Sequence, residues 1–147
     1  MTLPATRSLP SKIDSLYSLM DFVSSCAREE GFSTERISEI ELAMEEVLVN
    51  IIKYAYQECG HVGDIEINCK LNDEQSLVIE IVDSGVQFDI FSAREPDVTA
   101  DIDERPIGGL GISFVKQLMD DVQYRREENH NKLILVIYKL NSASNKR

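Results

Sequence analysis

Several things are scarce or missing in this sequence, and each absence excludes something. Basic residues are outnumbered, with 15 Lys and Arg against 26 Asp and Glu and a formal charge of −11. Phosphate contacts need clustered Lys and Arg, so direct nucleic-acid binding is not expected. An anionic membrane surface is disfavoured for the same reason, whereas a basic patch on a protein partner is favoured. The three cysteines, Cys26, Cys59 and Cys69, are widely spaced and form no C-x-x-C pair. They read as reduced thiols in a reducing compartment rather than as metal ligands. His61 and His130 stand alone in expected turns, too far apart to suggest a metal cluster. No apolar run reaches the roughly 18 residues of a membrane span, and the start lacks a basic-then-apolar signal. A cytoplasmic protein with no membrane contact is therefore expected. Two phosphate signatures are also missing. There is no G-x-x-x-x-G-K-[ST], which excludes a P-loop, and no G-x-G-x-x-G after a strand, which leaves a dinucleotide-binding unit unsupported.

What is present suits one domain over residues 1–147, since 43% of the residues are hydrophobic. Pro4 and Pro10 limit residues 1–10 to one short edge strand. Ser11 reads as an N-cap, followed by Ile13, Leu16, Tyr17, Met20, Val23 and Ala27 at helical spacing up to Gly31. Ser33 or Thr34 opens a second helix, with Ile37, Ile40, Met44, Val47, Leu48, Ile51 and Ala55 on one stripe, ending by Gly60. The period then changes to two. Ile65, Ile67, Cys69 and Leu71 alternate with polar residues, a turn comes next at 72–74, and residues 77–82 form the next strand of a hairpin. Residues 84–107 are irregular and polar, as functional loops often are. A helix runs from the 108–111 glycine cluster to about Met119, and residues 122–126 and 133–140 form a second hairpin before a frayed tail at 141–147. This order predicts an α+β two-layer sandwich, a mixed, mostly antiparallel sheet covered on one face by three helices.

Three local patterns carry candidate chemistry, and each has a plain structural alternative. Glu46 and Asn50 are four apart and project from one side of the second helix. On a helical wheel they fall nearly opposite the core stripe, beside Glu39, Lys53 and Gln57, as a solvated face would. Asp83-Ser84-Gly85 comes after an apolar strand and is either a turn or an acceptor for an exocyclic amine such as that of adenine. In the second case Gly85 lets backbone approach the flat base. Gly108-Gly109-Leu110-Gly111 is either a hinge or a run of exposed N–H groups at a helix start, suited to an anion.

Taken in order, E-x-x-x-N on a helix, D-x-G after a strand, a loop and G-G-L-G opening a helix resemble the GHKL ATPase superfamily. Residues 45–56 (EEVLVNIIKYAY) resemble the N box of the anti-sigma-factor serine kinases. Residues 83–89 (DSGVQFD) resemble their D-x-G-x-x-F-D box, and residues 108–124 their final nucleotide box with the strand after it. The likeness spans roughly residues 10–140. Two positions depart from it. Tyr54 stands where the N box often has His, and Asn129-His130-Asn131 replaces a Gly-Asn or Gly-Thr pair.

The resemblance implies an ATP site with Mg²⁺. Asn50 would hold the metal, and Glu46 would be the general base toward a serine or threonine hydroxyl. Asp83, with Gly85 and Phe88 in its box, would read adenine. Lys53 lies in the N box beside the pair. Gly108, Gly109, Leu110 and Gly111 would line the phosphates, and Asn131 would reach one of them. Residues 92–107 would be a lid in which Arg105 touches the phosphates or a partner. Leu42 and Val49 are expected to pack on the first helix or near the nucleotide. The implied activity is phosphorylation of an anti-sigma-factor antagonist, together with binding of a sigma factor, by a homodimer. The alternative is a non-catalytic nucleotide-binding module that regulates by sequestering a partner. A carboxylate beside the metal ligand favours catalysis, because a mere binder has no need of one.

Overall fold

The computed structural model describes residues 3–91 and 109–139. The expected lid at 92–107 with Arg105, the cluster's first residue Gly108, and the tail at 141–147 lie outside the described residues. Five strands, β1 (Ala5–Pro10), β2 (Asp64–Leu71), β3 (Leu77–Asp83), β4 (Asp121–Glu127) and β5 (His130–Ile137), form one sheet in the order β1-β2-β3-β5-β4. Every pairing among the described residues is antiparallel, which sharpens the expectation of a mixed sheet. The edge strand anticipated within residues 1–10 is β1. Ile65, Ile67 and Cys69 of β2 share a face with Ile79 and Ile81 of β3 and with Leu133, Leu135 and Ile137 of β5. All are buried beneath the helical layer, so the period-two pattern marks the covered face.

That layer holds α1 (Leu16–Glu29), α2 (Thr34–Asn50) and α3 (Gly109–Leu118). A single 3-10 turn over Ile13–Ser15 precedes α1. Ser11 does not cap it. Its N–H instead donates to the Gly63 carbonyl at 2.8 Å, joining the end of β1 to the start of β2. Ile13 and Tyr17, expected on the buried stripe, are exposed. They lie in the first turns, on the margin of the stripe that Leu16, Leu19, Met20 and Val23 bury. Gly31, at φ +82°, supplies the left-handed stop after α1. Ser33 does cap α2, its Oγ accepting from the Arg36 N–H at 3.1 Å.

The second helix is not one α-helix to Gly60. After Asn50 it passes into a π-helical turn over Ile51–Tyr56 and a 3-10 turn over Gln57–Cys59, and stops at Gly60 with φ +66°. A π turn takes an extra residue per turn and so rotates the residues beyond it. Ile52 and Tyr56 therefore join Ile51 and Ala55 in the core.

A buried ion pair fastens the layers together. Arg36 Nη2 lies 2.9 Å from Asp120 Oδ2, with both side chains almost fully covered. Arg36 also donates from Nε and Nη2 to the Tyr138 carbonyl, at 3.1 and 2.9 Å, and from Nη1 to Glu39. The Tyr138 N–H donates to the same Asp120 oxygen at 2.8 Å. The start of α2 is thus tied to the end of α3 and to the chain leaving β5. Removing one partner of such a pair strands a buried charge. Arg36→Ala is expected to lose roughly 3–5 kcal/mol in urea unfolding. A loss under about 1 kcal/mol would show that water satisfies Asp120.

Candidate functional site

Glu46 and Asn50 lie in the last turns of α2, and the structure joins them. Asn50 Nδ2 donates to the Glu46 carbonyl at 2.7 Å and to Glu46 Oε1 at 3.1 Å. Only the amide nitrogen can face a carbonyl, so the orientation of the amide is settled and Oδ1 is the oxygen turned elsewhere. The wheel placed this pair on a solvated face, yet Asn50 is 5% exposed and Glu46 is half-buried. The first turn of α3 lies against Glu46. A Cβ added to Gly111 would overlap the Glu46 carboxyl carbon and crowd both of its oxygens. Two glycines of the cluster, Gly109 and Gly111, sit inside the first turn of α3, and the lack of a side chain at Gly111 lets backbone lie on the Glu46 carboxylate. Burial pushes the Glu46 carboxyl above the usual range. The Asn50 amide pulls it partly back, and Glu45 adds to the rise.

The D-x-G segment is held at the end of β3 by a polar row across the sheet. Asp83 of β3 pairs directly with Asn131 of β5, and Asn131 pairs with Arg126 of β4. Asp83 Oδ1 accepts from the Gly85 N–H at 2.9 Å and from Asn131 Nδ2 at 2.8 Å. Among the described residues no partner is seen for Oδ2. The carboxyl of Asp83 is pushed up by burial, and the bonds from Asn131 and Gly85 and the charges of Arg126 and His130 oppose the shift.

Asn131 does not fit the phosphate contact expected of it. Its Nδ2 donates to Asp83 Oδ1 and to the Val86 carbonyl, each at 2.8 Å. Its Oδ1 accepts from Tyr124 Oη at 2.6 Å and the Phe88 N–H at 3.1 Å. Both donors and both acceptor positions are used, so the amide is saturated by protein. It clamps the loop after β3 rather than serving a ligand. Gly85 also has a reason of its own. A Cβ there would overlap the Ala55 carbonyl oxygen, beside which the Val86 N–H donates to that same carbonyl at 3.0 Å. The close approach that needs glycine is thus to the π turn.

Lys53 and Phe88 meet through Tyr54. The Tyr54 and Phe88 rings lie 5.4 Å apart, and Lys53 Nζ is 5.0 Å from the Tyr54 centroid. No cluster of three His, Cys, Asp or Glu that could hold a metal occurs among the described residues. Sequence reasoning missed three contributors. Tyr56 Oη donates to the Asp64 carbonyl and accepts from the Ser84 N–H, both at 2.8 Å. Arg126 Nη1 donates to the Gly85 carbonyl at 2.9 Å, and Tyr124 holds Asn131. Arg126 left one trace in the sequence. It occupies the inward phase of β4, with Val122 and Tyr124, where an apolar residue is the rule.

The Gly85 contact predicts a specific defect. Gly85→Ala should lose about 1–3 kcal/mol through overpacking. It should also lose hydrogen-exchange protection at the Val86 amide. Unchanged protection at Val86 would refute the close approach.

With this geometry in hand, the chain can be set against known proteins. The histidine kinase-like ATPase domain family matches residues 9–137. The serine-protein kinase RsbW of Bacillus cereus strain AH187 is 30% identical over 124 residues, covering 82% of this chain and 76% of that protein. That of Bacillus anthracis is 31% identical over the same shares. Among solved structures, the RsbU and RsbW domains of Rv1364c from Mycobacterium tuberculosis superpose with a TM-score of 0.65 at 14% identity, over 93% of this chain and 32% of that one. The chain thus spans about a third of that structure. The histidine kinase domain of the blue-light activated kinase EL346 of Erythrobacter litoralis gives a TM-score of 0.51 at 15% identity, over 84% of this chain and 60% of that one. These two likenesses speak to the fold. The family match over most of the chain, with the relatives at 30% identity and above, establishes that this protein belongs to the histidine kinase-like ATPase domain family and, within it, groups with the serine-protein kinases RsbW.

Proposed function

We propose that this protein is an ATP-dependent protein-serine/threonine kinase that phosphorylates an anti-sigma-factor antagonist and also binds a sigma factor as an anti-sigma factor. The observation that carries the reading is the Glu46–Asn50–Gly111 assembly, a carboxylate, a hard oxygen ligand and the first turn of a helix brought into contact. The names of the relatives support kinase chemistry.

The residues fit a magnesium ion. Asn50 Oδ1 is a hard oxygen kept clear by the bonds of its own nitrogen, and a metal that keeps waters and phosphates needs few protein ligands. Bound there through Asn50, the ion would neutralise charge on the ATP phosphates. Glu46 would accept the proton of the incoming serine or threonine hydroxyl as that oxygen takes the γ-phosphoryl group and ADP departs. Backbone N–H groups of the first turn of α3, at Gly109 and Gly111, would face the phosphates. Asp83 would accept from the adenine amine through Oδ2, with Phe88 and Lys53 nearby and Arg105 reaching phosphate or partner. A homodimer acting without direct nucleic-acid contact completes the proposal.

The decisive experiment is transfer of labelled γ-phosphate from ATP to the antagonist encoded in the same genome. Absence of transfer by the wild type, with binding of the antagonist verified, would leave the non-catalytic module. Glu46→Gln should keep ATP affinity and lose about 10²–10⁴-fold in transfer rate. Asn50→Asp should shift the magnesium titration, and an unaltered titration would contradict the ligand role.

The Glu46 shift also sets a pH dependence. A base must be ionised to act, so the acid limb of the transfer rate should lie above the ordinary glutamate range. For stability the sign is the reverse of an ion-paired carboxylate. With its pKa raised in the folded state, Glu46 binds more protons folded than unfolded, so its contribution falls as pH rises through that window. Glu46→Gln should therefore match or exceed the wild-type melting temperature at pH 7.5 despite its slowed transfer.

A further inference from the structure

Two exposed apolar side chains lie on α2 and α3, which pack side by side. Leu42, expected to pack on α1 or near the nucleotide, is 55% exposed, and Phe114 of α3 is 46% exposed. Two contacts fix the register of these helices. Arg36 meets Asp120 at one end, and Glu46 meets Gly111 at the other. The helices are therefore antiparallel, and interpolation between those contacts puts Leu42 level with Phe114. The facing stripes agree. Leu42 lies four residues before Glu46 and three after Glu39, on the side of α2 that bears on α3. Phe114 lies three residues after Gly111, on the matching side of α3. Both side chains thus border the outer edge of one seam.

The α2 border of this seam is acidic. Glu45 is exposed and Glu41 partly exposed, whereas Glu39 is paired with Arg36 and α3 contributes one exposed cation, Lys116, in a chain of formal charge −11. The seam also leads to Glu46, one helical turn beyond Leu42 and beside Gly111, itself one turn before Phe114.

We propose that the Leu42–Phe114 seam docks the protein substrate, through an apolar side chain flanked by Lys or Arg, and so brings its hydroxyl toward Glu46. This rests on the kinase reading for the identity of the occupant. Charge complementarity selects a basic-rimmed surface, and continuity of the seam with Glu46 selects the protein that receives the phosphate. Apolar anchors at the centre and charges at the rim divide the work in the usual way, into affinity and association rate.

Calorimetric titration of the full chain with the antagonist from the same genome tests this. Leu42→Ser combined with Phe114→Ser should weaken antagonist binding at least tenfold while leaving ATP affinity unchanged. Phe114→Leu should retain most of the affinity. Glu41→Lys with Glu45→Lys should weaken binding and flatten its salt dependence in the same titration. Antagonist affinity within twofold of wild type in the double serine variant overturns the docking proposal, whether or not phosphate is transferred. A wild type that binds the antagonist and loses it in the double variant, yet transfers no phosphate, overturns the kinase reading alone. A wild type that does not bind the antagonist overturns both.

Discussion

The approach of Gly85 to the Ala55 carbonyl is the contact on which the site depends. Helices end with carbonyls that lack partners. Here the helical segment that begins as α2 runs on through a π turn, and the Ala55 carbonyl finds its partner in the Val86 N–H of the loop after β3. The bond can form only because residue 85 has no Cβ. One hydrogen bond and one missing methyl thus lock the sheet end carrying Asp83 to the helix carrying Glu46 and Asn50. Tyr56, one residue on, repeats the tie by accepting from Ser84 and donating to Asp64. Side chains from distant parts of the chain then share one rigid frame.

The row Asp83–Asn131–Arg126 is the polar counterpart of that frame. It replaces apolar residues at the end of the covered sheet face, where an unpartnered polar group would cost several kcal/mol. Asn131 removes most of that cost by using all of its hydrogen-bonding capacity on Asp83, Val86, Phe88 and Tyr124. The Glu128-Asn129 turn leads into it, with both residues at positive φ, as a type I′ hairpin turn requires. This explains how the chain dispenses with the glycine that the family pattern led one to expect there. Asn129 adopts the left-handed conformation itself, and Asn131 serves the loop instead of a ligand.

Glu46 shows the opposite balance. Its carboxylate is half-buried against the first turn of α3 and, among the described residues, gains only the Asn50 amide in return. Such a group lowers stability near neutral pH and makes a better base, since its proton affinity rises with desolvation. The buried Arg36–Asp120 pair, at the far end of the same two helices, anchors their packing where no such chemistry is needed. Between these two ends lie Leu42 and Phe114, neither in the core nor in the polar site.

Much of this was legible in the sequence because it depends on period and local chemistry. The alternation in β2 and β3, the stripe of α2, the Ser33 cap and the glycine stop at Gly31 arise from residues close together in the chain. The ordered boxes around Glu46, Asn50, Asp83 and Gly111 identified the family for the same reason. A wheel drawn at a constant angle could not show that α3 lies against Glu46, that Asn50 is buried, that a π turn rotates Tyr56 inward, or that Ile13, Tyr17 and Leu42 remain exposed. Nor could it show that Asn131 is saturated or that Gly85 faces a carbonyl of its own chain. Burial and hydrogen-bond satisfaction are properties of neighbours far apart in the chain. Local sequence therefore determined the elements and the residue types of the site, and only tertiary packing decided which of those residues are covered, clamped or left open.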